Sequence, residues 1–448
     1  MDIQVDMVNT GEMDTNSDTA NSSAQVLLDH DVEIPKLVED VTSSRMPDLS
    51  GLPTTIKIIF RVARRIRWGS IIMIVPDGRA FRFRGREAGP EAVFKLNDYA
   101  VFGKLWRHGT LGFGEAYFQE LWESPDVTTL LEVLARNEDD FEEFFNAGKL
   151  FQPVQQIFNW LRRNNKKGSR RNIIAHYDLG NDFYGQWLDP TMTYSSAKFI
   201  NGTEDLSEAQ RNKYQSLADE LKLEPHHTLL EIGSGWGGFA EYAAKEIGCK
   251  ITGITISPEQ YKFSVDRIKN QGLEDRVEFR LQDYRDVEGR YDRIASIEML
   301  EAVGLSYWPV YFQTLFNRLE PGGLAGVQVI TIEDKFFDLY SKRADFIQRY
   351  IFPGGMLPSP NTLKNQVGDA GLIWRNNVNF GLDYAKTLNE WRSRFQSAWP
   401  QIQTLGFDER FRLLWKYYLS YCEAGFRVGC IDVAQFTVQK PQEQQALA

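Results

Sequence analysis

Short apolar runs alternate with amphipathic stretches through the second half of the chain. Leu229–Ile232, Lys250–Thr255, Val277–Leu281, Asp292–Ser296 and Gly323–Val329 have the length and branched composition of buried strands. Between them, residues 237–247, 258–270 and 307–318 carry apolar positions at helical spacing. This alternation predicts an α/β fold with a doubly wound, mostly parallel sheet. Upstream the pattern changes. Ile56, Ile59, Phe60, Ala63 and Ile66 follow a helical period, and Ile71–Val75 and Ala80–Arg84, joined by Pro76-Asp77-Gly78-Arg79, predict a β-hairpin. Residues 85–145 read as mixed α/β, with Gly112–Tyr117 as a tight, aromatic-rich turn into a helix. The expected organisation is a tail over 1–51, a small α+β domain over 52–145, a linker over 146–171 and a large α/β domain over 172–440.

Charge sharpens these boundaries. The chain of 448 residues has a net charge of -10, but residues 1–50 alone hold 11 Asp/Glu against 2 Lys/Arg. The acid therefore sits in a Ser/Thr/Asn-rich stretch without aromatic residues, which cannot bury enough apolar surface to fold alone. Between Lys57 and Arg86 the sign reverses, with nine basic residues against Asp77. Attraction to anionic lipid headgroups is one reading of that cluster, and an ordinary solvated face is the other. No nucleic-acid motif accompanies it, so nucleic acid is not an expected partner. Residues 162–171 add six Arg/Lys among Asn, Gly and Ser, the composition of a linker.

Other classes are excluded more simply. No run of about 20 apolar residues is long enough to span a bilayer, and the acidic N-terminus is unlike a secretory signal. Three cysteines, Cys249, Cys422 and Cys430, fit a reducing compartment without a disulfide framework. Cys249, just before a strand, reads as core. The five histidines form no metal-ligand spacing with the cysteines, and no metal is expected.

The densest chemical signal is Glu231-Ile-Gly-Ser-Gly-Trp-Gly-Gly238, directly after a strand. Gly233 and Gly235 let backbone amides approach a ligand that any Cβ would hold off. The next strand ends in Thr255-Ile256-Ser257, with Ser257 placed as N-cap, Pro258 at the first helical position and Gln260 in the first turn. The third ends at Asp283-Tyr284. Three consecutive strand ends thus bring polar groups to one carboxyl edge, where open α/β sheets bind ligands. Thr255 stands where a dinucleotide site places a ribose-binding acid. The set suits S-adenosylmethionine (SAM) better than a dinucleotide.

Further motifs follow in order: Ala175-His-Tyr-Asp-Leu-Gly-Asn-Asp182, Leu188-Asp-Pro-Thr-Met-Thr-Tyr-Ser-Ser196, the glycine loop, Leu281–Asp286, Glu301-Ala-Val-Gly304, Tyr350–Gly355 and Phe380-Gly-Leu-Asp-Tyr384. Over 172–438 the chain resembles the cyclopropane-fatty-acyl-phospholipid synthase family. The small N-terminal domain more weakly resembles the lipid-binding extension of its bacterial members. The resemblance implies a Rossmann-like SAM-methyltransferase domain. It also implies transfer of a methyl group from SAM to the cis double bond of an acyl chain in a membrane phospholipid, giving a cyclopropane. A methylene or methyl-branched product is the alternative, and a reductase partner would complete the branch. A soluble small-molecule acceptor and a non-enzymatic lipid-binding protein are the competing readings. The family's homodimers and its location at the inner face of the cytoplasmic membrane come with the resemblance.

The resemblance also assigns residues. Tyr194 and Ser195 would contact the SAM amino-acid group, alongside Gly233, Gly235, Thr255, Ile256, Gln260, Asp283 and Tyr284. Bicarbonate, the family's proton acceptor, would be held by Ser196, Glu301, Gln328, Ile330 through its backbone, and Tyr384. Ser196 replaces a cysteine and Gln328 a frequent histidine, and both can donate to an anion. The segment with His176 and Asp178 would close over the cofactor. Tyr194, Tyr350, Phe352, Phe380 and Tyr384 are candidates to face a carbocation.

Overall fold

Two sheets organise the molecule, a computed structural model that describes residues 32–42, 47–140 and 179–442. Expectations for residues 1–31, for the linker, and for His176 and Asp178 lie outside the described residues. The smaller sheet contains β1 (Val38–Val41), β2 (Trp68–Ile74), β3 (Ala80–Arg84), β4 (Glu87–Leu96) and β5 (Trp122–Glu123), in the order β1-β3-β2-β4-β5. The predicted hairpin is the antiparallel pair β2–β3, with Ile74 opposite Ala80. The helix Thr54–Ala63 buries Ile56, Phe60 and Ala63 against it, and the Phe60 ring meets Phe81 and Phe83 edge-on at 4.8 and 5.0 Å.

Two details differ from expectation. The stretch expected to be unfolded over 1–51 contains β1, which runs parallel to β3 with Val41 opposite Phe83. Val41 is buried, and Asp40 lies 3.7 Å from Arg82 and 3.3 Å from Arg84. Asp40 of the tail is therefore a counter-charge for the basic hairpin. The second difference is Gly112–Tyr117, which lies inside the helix Thr110–Tyr117 instead of forming a turn before it. The glycines there serve packing: a Cβ on Gly114 would stand 2.8 Å from the Tyr417 ring and 2.9 Å from that of Phe346.

The larger sheet comprises β6 (Thr228–Ile232), β7 (Lys250–Thr255), β8 (Val277–Leu281), β9 (Tyr291–Ile297), β10 (Leu319–Ile332), β11 (Ile373–Asn379) and β12 (Ile431–Gln439). Its order is β11-β12-β10-β9-β6-β7-β8. Strands β6 to β10 pair in parallel, and β12 adds antiparallel to β10 and β11. From β6 the chain steps to β7 and β8, then returns to β9 on the other side. The carboxyl ends of β6 and β9 are thus the switch point where a doubly wound sheet opens a crevice.

Helices Gly381–Ser397 and Glu409–Val428 precede β12 and join the two halves. One apolar core runs from Phe113, Tyr117 and Trp122 of the small domain to Trp391, Trp415 and Tyr417. Polar contacts cross the same boundary, where Thr128 Oγ1 donates to Glu423 at 3.1 Å and the Tyr350 hydroxyl to Glu115 at 2.7 Å. The small domain is therefore a wall of the large one.

Candidate active site

A cavity of about 610 Å³ opens at the switch point. One end is formed by the glycine loop and the ends of β6, β7 and β8. The other reaches the small domain at Leu111, Phe113, Leu131 and Leu134. Tyr194, Ser195, Gly233, Gly235, Thr255, Ile256, Gln260, Asp283, Tyr284, Ile330, Glu301 and Tyr384 all line it; Ser196 and Gln328 lie just behind the wall, fully buried.

At the loop end, local backbone geometry dominates. Gly233 and Gly235 have φ of 81° and 53°. A Cβ on Gly233 would stand 2.8 Å from Met299, whereas one on Gly235 would enter open space. Ser257 caps its helix as predicted, accepting from the Gln260 amide at 3.3 Å, and Thr255 Oγ1 donates to Gln260 Oε1 at 2.9 Å. Asp283 is held by Arg285 through contacts of 2.8 and 2.6 Å. Tyr194 bonds Tyr418 through their hydroxyls at 2.7 Å and packs 5.2 Å from the Trp391 ring.

Two charged groups here went unassigned from sequence. Lys213, fully buried, donates to Ser195 Oγ at 2.7 Å. Burial pulls its pKa down to about 8, while Glu298, Asp189 and Glu231 oppose that shift. Glu231 is pushed up to about 8 by burial, and its Oε2 has no hydrogen-bond partner. The empty space over Gly235 and the unpartnered Glu231 oxygen beside a Lys–Ser pair fit the amino-acid end of SAM, which carries both an ammonium and a carboxylate. Nothing in the sequence marks Lys213 except its place on the helix Leu206–Glu220, one turn from Gln210, whose amide fixes the Ser195 carbonyl at 2.9 Å.

The opposite wall belongs to Glu298, the residue after β9, which sequence reasoning missed. Its Oε1 accepts from the Ser196 amide at 2.9 Å and from Gln328 Nε2 at 2.7 Å, and its Oε2 accepts from the Tyr384 hydroxyl at 2.7 Å. Gln435 fixes the Gln328 side chain by donating to its Oε1 at 3.0 Å. Ser196 contributes through its backbone: its hydroxyl turns away to the Ala197 carbonyl at 2.9 Å. The Ile330 amide donates to Glu301 Oε1 at 2.6 Å, and Glu301 Oε2 has no partner. The donors expected to converge on bicarbonate thus converge on two carboxylates of the chain itself. Burial and the neighbouring Glu298 charge push Glu301 up to about 8. Burial also raises Glu298, but Lys213 and the three donors pull it back. Burial and the Glu298 charge keep the Tyr384 phenol protonated, as a donor must be.

Of the five aromatic candidates, Tyr194, Phe352 and Tyr384 line the cavity. Tyr350 instead packs 5.4 Å from Phe118, and Lys198 sits over the Phe380 ring at 5.5 Å. Cys249 is buried, and burial pushes its thiol up to about 11, as suits a core residue. Glu224, His226 and His227 bring ligand-type atoms within 4.8 Å of one another, but they precede β6 at the amino edge, away from the crevice.

Residues 164–436 match the family described as Mycolic acid cyclopropane synthetase. A tuberculostearic acid methyltransferase of Mycobacterium tuberculosis is 38% identical over 76% of this chain and 81% of its own length. The cyclopropane-fatty-acyl-phospholipid synthase of Escherichia coli K12 is 35% identical over 79% of this chain and 89% of its own. The crystal structure of mycolic acid cyclopropane synthase CmaA1, complexed with SAH and CTAB, superposes with a TM-score of 0.57 at 31% identity, covering 60% of this chain and 98% of that one. The glycine loop, the strand ends and the carboxylate wall are thus parts of a SAM-dependent methyltransferase, and the chain belongs to the mycolic acid cyclopropane synthetase family.

Proposed function

We propose that this enzyme methylates the double bond of an unsaturated acyl chain in a membrane phospholipid and releases a cyclopropane. The observation that carries the reading is the cavity's reach. It runs from the glycine loop to Leu111, Phe113, Leu131 and Leu134 of the small domain, an apolar length suited to an extended acyl chain and larger than a compact soluble acceptor needs. Arg107 and Arg343 also border it, and their charge suits a lipid phosphate.

Bound SAM supplies an electrophilic methyl group. An alkene is a weak nucleophile, so the chain's contribution is orientation and protection of positive charge. Phe352, Tyr194 and Tyr384 line the cavity, and aromatic rings stabilise a cation without reacting with it. The enclosing wall of Tyr417, Tyr418 and Phe426 excludes water that would trap the cation.

The membrane is the expected working surface. Among the described residues no helix is long and apolar enough to cross it. Arg67, Arg79, Arg82 and Arg84 of the basic cluster are paired with acids, and the cluster from Lys57 to Arg86 as a whole is the candidate surface for headgroup attraction.

A second product reading has its own support. The donors around Glu298 include neutral Gln328 where the family often has histidine, and a 38%-identical relative is named for tuberculostearic acid. A methylene product, reduced to a methyl branch by a separate reductase, fits these. Mass spectrometry of phospholipids from a host expressing the chain tests both. The expected result is acyl chains heavier by one CH2 unit for a ring or methylene and by CH2 plus two hydrogens for a reduced methyl branch, with derivatisation separating ring from methylene. Unchanged lipids in cells containing soluble, SAM-binding enzyme would remove the phospholipid reading.

A further inference from the structure

The donors that the family resemblance assigns to a free anion are occupied. The Ser196 amide, Gln328 Nε2 and the Tyr384 hydroxyl all end on Glu298, and the Ile330 amide ends on Glu301. A bicarbonate placed among them would have to break these bonds. It would also put a third acidic group beside two carboxylates, of which Glu298 alone feels the buried Lys213 ammonium. Like charges that close in a dry site do not all ionise. The residues present do not fit a free bicarbonate.

The backbone points the same way. Glu298 has φ of 49°, a left-handed conformation that costs a residue with a side chain about 1–3 kcal/mol and persists only where the surroundings enforce it. Here its amide donates to the Gln328 carbonyl at 2.8 Å, so the same residue holds both ends of Glu298. The turn directs the carboxylate back into the crevice, where it borders the cavity beside Met299 and the glycine loop.

We propose that Glu298 replaces the free anion as the catalytic base, taking a proton from the transferred methyl group. The proposal rests on the alkene-methylation reading. Transfer breaks the methyl carbon's bond to sulfur, and the electron pair stays on sulfur. The alkene π pair forms the new carbon–carbon bond, leaving a cation on the neighbouring carbon. A C–H bond of the new methyl then gives its pair to that carbon, closing a ring. After a 1,2-hydride shift the same pair instead forms a methylene double bond. In either case the proton goes to a Glu298 oxygen and later to solvent, and no further reactant is needed. Both products therefore use one base.

Glu298 and Glu301 divide the work. Three donors and Lys213 favour the charge on Glu298. Glu301, with one donor and an unpartnered Oε2, keeps its proton to about pH 8. Glu301 is then a neutral neighbour that positions Ile330, and Glu298 the ionised partner.

The test uses the full chain, labelled SAM and vesicles of dioleoyl phosphatidylglycerol and dioleoyl phosphatidylethanolamine, in buffer freed of carbon dioxide and with bicarbonate restored. Wild type should transfer methyl equally in both. Glu298→Gln should lose about 100- to 10,000-fold in turnover while calorimetry finds unchanged SAM affinity. Glu298→Gly, which also removes the backbone strain, should be as inactive without bicarbonate and partly recover when bicarbonate or formate fills the vacated donors. A wild type that stops without bicarbonate, or a Glu298→Gln variant within about threefold of wild type, would overturn the assignment. A wild type that binds SAM yet methylates no vesicle lipid would instead remove the alkene reading, and the base with it.

Discussion

The two ends of the cavity are built in opposite ways. The loop end is local: Gly233, Gly235, Thr255 and Gln260 are placed by the turns that follow two adjacent parallel strands. The carboxylate end is assembled from distant segments, since Ser196, Glu298, Gln328, Tyr384 and Gln435 meet only because β9, β10 and β12 are neighbours and the helix Gly381–Ser397 lies over them. A local site fails by losing its ligand. A remote network fails by losing the ionisation and aim of a group that remains in place. The two ends should therefore separate in experiment, with damage to the first appearing in SAM binding and damage to the second in turnover.

The largest effect is expected at the loop. The space a Gly235 Cβ would enter is open and is the space assigned to the cofactor by the resemblance. Gly235→Val should weaken SAM binding by about 100-fold or more, equivalent to about 3 kcal/mol, and calorimetry reads it directly. Affinity within a few-fold of wild type would detach the loop from the cofactor. The reciprocal change is Gln328→Leu. It removes the Nε2 donor from Glu298 and leaves Gln435 Nε2 with the Lys213 carbonyl as its remaining acceptor, but touches nothing at the loop. Turnover should fall about 10- to 100-fold, the scale of losing one charge-assisted hydrogen bond of roughly 1.5–3 kcal/mol, at unchanged SAM affinity. A parallel loss of SAM affinity would mean that the ends are not independent.

The same contrast explains what the sequence made legible. Strands β6, β7 and β8, the Ser257 cap and the glycine turn are encoded within a few residues, so periodicity and turn chemistry found them. Strand β1 was hidden because its apolar residues sit in an acidic stretch, and only the basic hairpin reveals why acid belongs there. Helices Gly381–Ser397 and Glu409–Val428 bury polar Arg392, Lys416 and Glu423 among their aromatics, which blurs the apolar stripe. Glu298 was the costliest omission. Its signal was a second carboxylate three residues before Glu301 at a strand end, together with Ser196 and Gln328 where cysteine and histidine are usual. Neutral donors at these positions suit a free anion as well as a carboxylate of the chain. They are a complete site whose anion is part of the chain.

The smallest expected effect falls on Glu301, and its sign separates the two carboxylates. Folding raises the Glu301 pKa from an ordinary 4.5 to about 8, through burial and then the Glu298 charge. Between those values the folded chain holds a proton that the unfolded chain has released. Its contribution to stability is therefore fully present below pH 4.5 and declines as pH rises toward 8, by at most about 1.4 kcal/mol per pH unit. Glu301→Gln mimics the protonated acid and removes that decline. Relative to wild type, the variant should gain in urea midpoint steadily from pH 5 to pH 8. Turnover near neutrality should stay within about tenfold of wild type, far above the Glu298→Gln variant. A Glu301→Gln enzyme as inactive as Glu298→Gln, or a stability difference independent of pH, would mean that Glu301 is the ionised member of the pair and would reverse the two roles.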